Sequence, residues 1–184
     1  ANGFNGRALS PPVFPDIRVA DDFVVATGGT SLKDAHFGII EDAGWVAGDV
    51  LEVTFYGDTG GAGPGAPVAQ VVGDYTRMAT GRQIFDRDEY QYHIEFDAIN
   101  LDSGTYWVGV RNPNGGGAGT NYWLTSDGGP DGMSSSTGWF SLDAGNSWQD
   151  QGPDWHMAFE LTPAPGALAL FGLAGLAAGR RRRH

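Results

Sequence analysis

Cysteine is absent from this chain, so no disulfide framework, thiolate zinc site or cysteine nucleophile can be built from it. Charge is also sparse, at 18% of residues, and basic charge is the sparsest, with 11 Lys and Arg against 22 Asp and Glu and a formal net charge of −11. Four of those eleven are Arg180, Arg181, Arg182 and Arg183, so the remainder sets seven basic groups against 22 acidic ones, a balance of −15. Such a body repels a phosphate backbone, because nucleic-acid affinity rests on Lys and Arg neutralising phosphates; a nucleic-acid partner is not expected. No amphipathic helical stretch of useful length and no long internal repeat interrupts the chain. It begins at Ala1 rather than Met and without an apolar segment near its start, and the expectation is a signal peptide that has been removed or left out.

What is plentiful is glycine, 30 residues, with 10 prolines and 12% aromatics in a length of 184. That mixture suits many short strands joined by tight turns, and the length suits one domain with a real core plus a small appendage. Apolar residues recur with period two: Leu51, Val53 and Phe55; Tyr90, Tyr92, Ile94 and Phe96; Tyr106, Val108 and Val110; Met157, Phe159 and Leu161. Ile17, Val19, Phe23 and Val25 follow the same habit, and a further segment ends in Phe37, Ile39 and Ile40. One dry and one wet side per strand is the pattern of antiparallel sheets covered on a single face. Segments 57–67, 112–120, 126–136 and 143–153, rich in Gly, Asp, Asn and Pro, read as connectors.

The expected fold is therefore all-β: a single antiparallel β-sandwich of about eight strands, jelly-roll-like, carrying a short hydrophobic helix at its C-terminus. Its core should include Leu51, Val53, Phe55, Tyr92, Ile94, Phe96, Val108, Val110, Met157 and Phe159. Residues 1–16, with Pro11, Pro12 and Pro15, read as an irregular arm, residues 17–162 as the sandwich and residues 163–184 as a tail. In Leu101-x-x-Gly104-x-Tyr106 the glycine turns the chain into a strand in the manner of a tyrosine corner, a structural motif.

The tail is the most specific feature. Pro163-Ala164-Pro165 precedes an apolar run to Gly179, which ends in the four arginines and His184. As a helix, residues 164–179 reach roughly 24 Å at ~1.5 Å per residue, short of the ~30 Å hydrocarbon core, so the span is marginal and depends on snorkelling arginines or local thinning. The arginines orient it with the domain outside. This order of parts resembles the PEP-CTERM sorting signal, with Ala164 where that family most often has Glu. The resemblance implies processing by an exosortase-like enzyme and transient insertion in the inner membrane. Pro163, Ala164, Pro165 and Arg180 to Arg183 would be the sorting residues. The strings from Arg18 to Phe23, Phe55 to Gly61 and Leu101 to Trp107 are similar to exported domains that precede such tails, which implies surface localisation and a β-rich fold.

Three kinds of residue could carry function. Trp139, Trp148 and Trp155 lie in or beside polar connectors and are the candidates for stacking on sugar rings, while Trp107 and Trp123 alternate with Tyr106 and Tyr122 and so put one ring of each pair on the second surface. Acidic pairs, foremost Asp21 with Asp22 and Asp127 with Asp131, could hold calcium through loop oxygens, although turn-forming or solvated aspartate is the simpler explanation. His36, His93 and His156 are scattered, with His93 and His156 on wet faces, and no His-Glu-x-x-His or Gly-x-Ser-x-Gly frame occurs. The expectation is a non-enzymatic, surface-displayed protein bound to extracellular polysaccharide. A structural subunit that self-associates through its Pro-rich arm is the alternative, and a secreted polysaccharide hydrolase using two carboxylates is the third reading.

Overall fold

Alternation of the kind found at residues 50–56 and 90–96 has one low-energy outcome, an extended strand with its apolar side against another sheet. The computed structural model of the chain describes residues 7–8, 17–126, 138–152 and 156–164, and among those residues every regular element is a strand. In chain order these are β1 (Arg7–Ala8), β2 (Arg18–Val25), β3 (Thr30–Glu41), β4 (Trp45–Val46), β5 (Leu51–Asp58), β6 (Pro64–Gly73), β7 (Thr76–Ile84) and β8 (Arg87–Leu101). They continue as β9 (Gly104–Arg111), β10 (Gly116–Gly117), β11 (Asn121–Trp123), β12 (Thr125–Ser126), β13 (Trp139–Ser141), β14 (Gln149–Asp150), β15 (His156–Met157) and β16 (Phe159–Pro163).

One six-stranded sheet runs β1-β11-β3-β8-β7 with β16 also on β3; a second runs β14-β13-β2-β9-β5-β6. Short ladders join β4 to β10 and β12 to β15, and the pairings are antiparallel throughout. β3 is the hub of the first sheet: one edge takes β8, while the other is divided between β11 at residues 39–41 and β16 at residues 32–37. Register shifts between Leu32 and Asp34 reset the alternation, so Leu32 and Ala35 both reach the core; exposed Lys33 is the extra residue against β16, whereas against β8 the extra residues belong to β8, between Glu95 and Ile99.

The inner sides of the two sheets close on one core. Val19, Phe55, Val108 and Val110 come from the second sheet, and Phe37, Ile39, Tyr92, Ile94 and Trp123 from the first. Of the ten residues expected there, all but Phe96 and Phe159 are buried, and those two are partly buried against the same core, so the period-two pattern identified the inward side. Phe37 meets Trp123 edge-on at 5.5 Å and Phe55 meets Phe96 at 6.0 Å. Full burial of such a side chain stabilises by roughly 1.5–3 kcal/mol.

Two local features depart from the sequence pattern. β6 and β7 form strands where no alternation marks them, and β7 is exposed at every residue but its last. Charge anchors β7 instead: Arg77 forks onto buried Glu41, Nε to Oε1 at 2.8 Å and Nη2 to Oε2 at 2.5 Å, and the Tyr92 hydroxyl donates to the same carboxylate. Within residues 1–16, expected to be irregular, Arg7–Ala8 adds a two-residue strand to β11. Tyr106 follows Gly104 into β9, and its ring stacks on Phe23 at 5.9 Å. The apolar segment 166–179, expected to be helical, lies outside the described residues.

Candidate functional site

The outer side of the second sheet carries side chains in rows fixed by strand register. Asp22 stands opposite Trp107 and Trp107 opposite Tyr56; in the next row Trp139, Ala20, Gly109 and Thr54 line up. Aromatic residues from β5, β9 and β13 thereby converge without being near in sequence. Trp107 and Tyr56 are 3% and 4% exposed, an unusual state for rings pointing away from the core, because half-buried Trp139 and Trp148 cover them. Trp107 meets Trp139 edge-on at 6.1 Å, and Tyr56 meets Trp148 edge-on at 5.3 Å. These contacts use the attraction between the ring edge and the ring face. Room for Tyr56 comes from Gly109, where an added Cβ would lie 3.3 Å from the Tyr56 ring and 2.7 Å from the Val19 carbonyl oxygen.

Two loops hold the outer tryptophans. In the first, Asp58 accepts from the Trp107 indole at 3.0 Å with one oxygen and from the amides of Gly60 and Gly61 at 2.9 and 3.3 Å with the other. The indole hydrogen bond, followed by those amides, holds the Asp58 carboxyl below its ordinary range. The same loop ends at Gly63, whose φ of 94° favours glycine and whose α-carbon abuts Trp139, so that an added Cβ would sit 2.6 Å from the ring. In the second loop the buried Ser141 hydroxyl donates to Asp143 at 2.6 Å and accepts from the Gly145 amide at 2.8 Å, while Asp143 accepts from the Ser147 amide and hydroxyl at 2.9 and 2.7 Å. The hydroxyls of Ser141 and Ser147 pull the Asp143 carboxyl down to about 2. This stapled loop delivers Trp148 onto Tyr56.

Polar groups border the rings. Arg18 and Arg111 approach Glu52 at 3.7 and 3.9 Å, and Gln70 donates to Thr54 at 3.3 Å. Burial raises Asp22 above the ordinary carboxylate range. The Trp148 indole nitrogen is buried and has no hydrogen-bond partner among the described residues. Apolar ring faces with donors and acceptors beside them are suited to the CH-rich face and hydroxyl edge of a sugar ring.

Of the three tryptophans singled out from the sequence, Trp139 and Trp148 join this cluster and Trp155 lies outside the described residues. Trp107, placed by its alternation with Tyr106 as one ring of a pair split between the core and the second surface, lies on the outer side with Tyr106 on the core side, whereas Tyr56 was not singled out as a site residue. Asp21 and Asp22 point to opposite sides of β2. Asp21 is 1% exposed on the core side, where it accepts from the Met157 amide at 2.6 Å, whereas Asp22 shares a row with Trp107, so the two do not jointly face one ion. Asp127 and Asp131 lie outside the described residues, as do Pro165 and Arg180 to Arg183.

Pro163 and Ala164 form the last rung of β16: Pro163 pairs with Leu32 after a register shift, and the Ala164 amide donates to Ser31 O. His156, expected on a wet face, is instead 7% exposed: β15 pairs with β12 and lies against β2, where the Met157 amide donates to Asp21. His36 and His93, far apart in sequence, are register partners across β3 and β8. No known protein family, curated protein or solved structure matches the chain.

Proposed function

We propose that this chain is an exported, non-enzymatic surface protein whose β-rich domain binds extracellular polysaccharide through the aromatic outer face of the second sheet. The observation that carries the reading is the convergence of four aromatic rings on one outer face, with half-buried Trp139 and Trp148 laid over buried Trp107 and Tyr56. In this reading the domain is a jelly-roll-like sandwich followed by a short apolar helix. The tail from Pro163 to the arginines is a PEP-CTERM-like signal, handled by an exosortase-like enzyme and holding the protein transiently in the inner membrane. A cut beyond Ala164 would leave every rung of β16 in place, which supports a removable tail.

The test is a glycan array together with pull-down by exopolysaccharide from the producing cells, run with and without calcium. Binding by the wild type and its loss in a Trp139→Ala/Trp148→Ala double variant with unchanged circular dichroism is the expected outcome. Absence of binding even with calcium present overturns the reading. A second reading, a self-associating surface subunit, draws on β1, whose two-residue pairing with β11 could be made by the arm of a neighbouring copy instead. Deleting residues 1–15 would then abolish assembly of a domain that still folds.

A further inference from the structure

The outer side of the first sheet brings together groups of a different chemistry. Asp34 and His36 alternate on β3, and His93 is the direct register partner of His36 on β8. The two imidazoles lie face to face, centroids 4.1 Å apart and planes within 2° of parallel. One ligand atom from each of Asp34, His36 and His93 can be chosen so that all lie within 4.8 Å of one another. A tetrahedral ion with bonds of about 2.0–2.1 Å needs its donor atoms about 3.3 Å apart, and because parallel rings direct their nitrogen lone pairs along separate planes, binding requires an imidazole to turn out of the stack.

Two buried atoms in this group lack what burial demands. Asp34 is 8% exposed, yet its Oδ1 has no hydrogen-bond partner, and Nδ1 of His36 is likewise buried and unpartnered. His36 Nε2 lies 3.5 Å from Asp34 Oδ1, too long to satisfy a carboxylate oxygen. A buried acceptor left this way is destabilising unless something binds it, and the remedy in such places is an ion or a water. Further carboxylates are at hand: Glu95 is the register partner of Asp34, and Glu160 on β16 is the register partner of His36.

We propose that Asp34, His36 and His93 form a binding site for a late first-row divalent cation, with Zn2+ as its natural probe. Two imidazoles and one carboxylate select Zn2+ and its neighbours over Ca2+ and Mg2+, which prefer six or more oxygens. Because the ligands come from neighbouring strands, the bound ion would cross-link β3 to β8 in the middle of the sheet. The site lies on a different sheet from the aromatic face and does not depend on it.

Isothermal titration of the full chain with Zn2+ alone tests the site. One equivalent is expected per chain, undisplaced by excess Ca2+, with a raised melting temperature as a ligand specific to the native state requires. Loss of a second-sphere partner already weakens metal binding by about 10–100-fold, so His36→Ala and His93→Ala, which remove ligands, should each cost at least that much. Asp34→Asn should weaken it in the same direction. Should an alanine variant unfold, His93→Gln and the imidazole NMR signals of the wild type serve instead: Zn2+ must perturb His36 and His93 and leave His156 unmoved. Failure to bind one equivalent, or undiminished affinity in the folded His36/His93 variants, overturns the proposal.

Discussion

On the outer side of the sheet built around β9, Trp107 is 3% exposed; on the outer side of the sheet built around β8, its counterpart His93 is only half-buried. Both residues follow the same rule, in which every second side chain of a strand turns away from the core. The difference lies in what covers them. Strand β13 places Trp139, against the loop after β5, and the loop after β13 places Trp148 over the second sheet, converting its outer face into a small aromatic layer, whereas the middle of the first sheet remains a polar surface of imidazoles and carboxylates. Register thus decides which way a residue points, and the loops decide whether that direction is wet.

The comparison breaks most readily at Trp107. Trp107→Ala removes a buried ring from contact with Trp139 and leaves Asp58 without its indole donor, so a loss of about 3–5 kcal/mol is expected by denaturant unfolding. His93→Ala, on the other sheet, should change stability by less than about 0.5 kcal/mol in metal-free buffer. Equal costs at the two positions would show that the aromatic layer is a loose covering rather than a second packed layer.

A pH series sharpens the contrast between the two sides of β2. Burial pushes the Asp21 carboxyl up to about 7, outweighing the two backbone amides that donate to it, those of Met157 and Asp22. The folded state therefore holds this proton more tightly than the unfolded chain. The corresponding stability is fully present below about pH 4 and is lost as pH rises through about 7, with an upper bound of about 4 kcal/mol. Asp21→Asn, which cannot ionise, should flatten that dependence in thermal melts between pH 5 and 8. A variant with the same slope as the wild type would place the titration elsewhere.

The smallest expected effect belongs to the edge of the first sheet. The β7–β8 turn consists of Phe85 and Asp86, with φ of 54° and 58°, a conformation that suits Asn or Gly far better than an exposed phenylalanine. Phe85→Asn should raise stability by about 0.5–1 kcal/mol; a decrease would mean that the Phe85 ring makes a contact the turn geometry does not reveal.

Much of the architecture was legible in sequence. β5, β8 and β9 announce themselves because one face of each is dry, and Leu51, Val53, Phe55, Tyr92 and Ile94 fall where the alternation puts them. β6 and β7 did not, because an edge strand with water on most of its surface has no reason to alternate; β7 is held by Arg77 and Glu41, a pair whose 36-residue separation carries no local signal. The same limit hid the sites. That Trp139 faces Ala20, or that His36 faces His93, depends on strand order and register, neither of which is written in any one segment. Asp21 and Asp22 show the converse: adjacency in sequence suggested a shared ion, but the pleat separates them.

The proposal that the aromatic layer is a sugar-binding surface is tested most directly by the six indole N–H signals of the protein in a nitrogen–proton NMR spectrum. They report on both sheets at once, with Trp123, whose indole donates to the Ala158 carbonyl oxygen at 3.0 Å, as the internal control. Titration with oligosaccharides released from the producing cells' exopolysaccharide should shift the signals of Trp139 and Trp148 in a saturable way and leave that of Trp123 in place. Six unmoved signals at saturating oligosaccharide, or a shift confined to Trp123, would contradict the assignment of this face to polysaccharide binding.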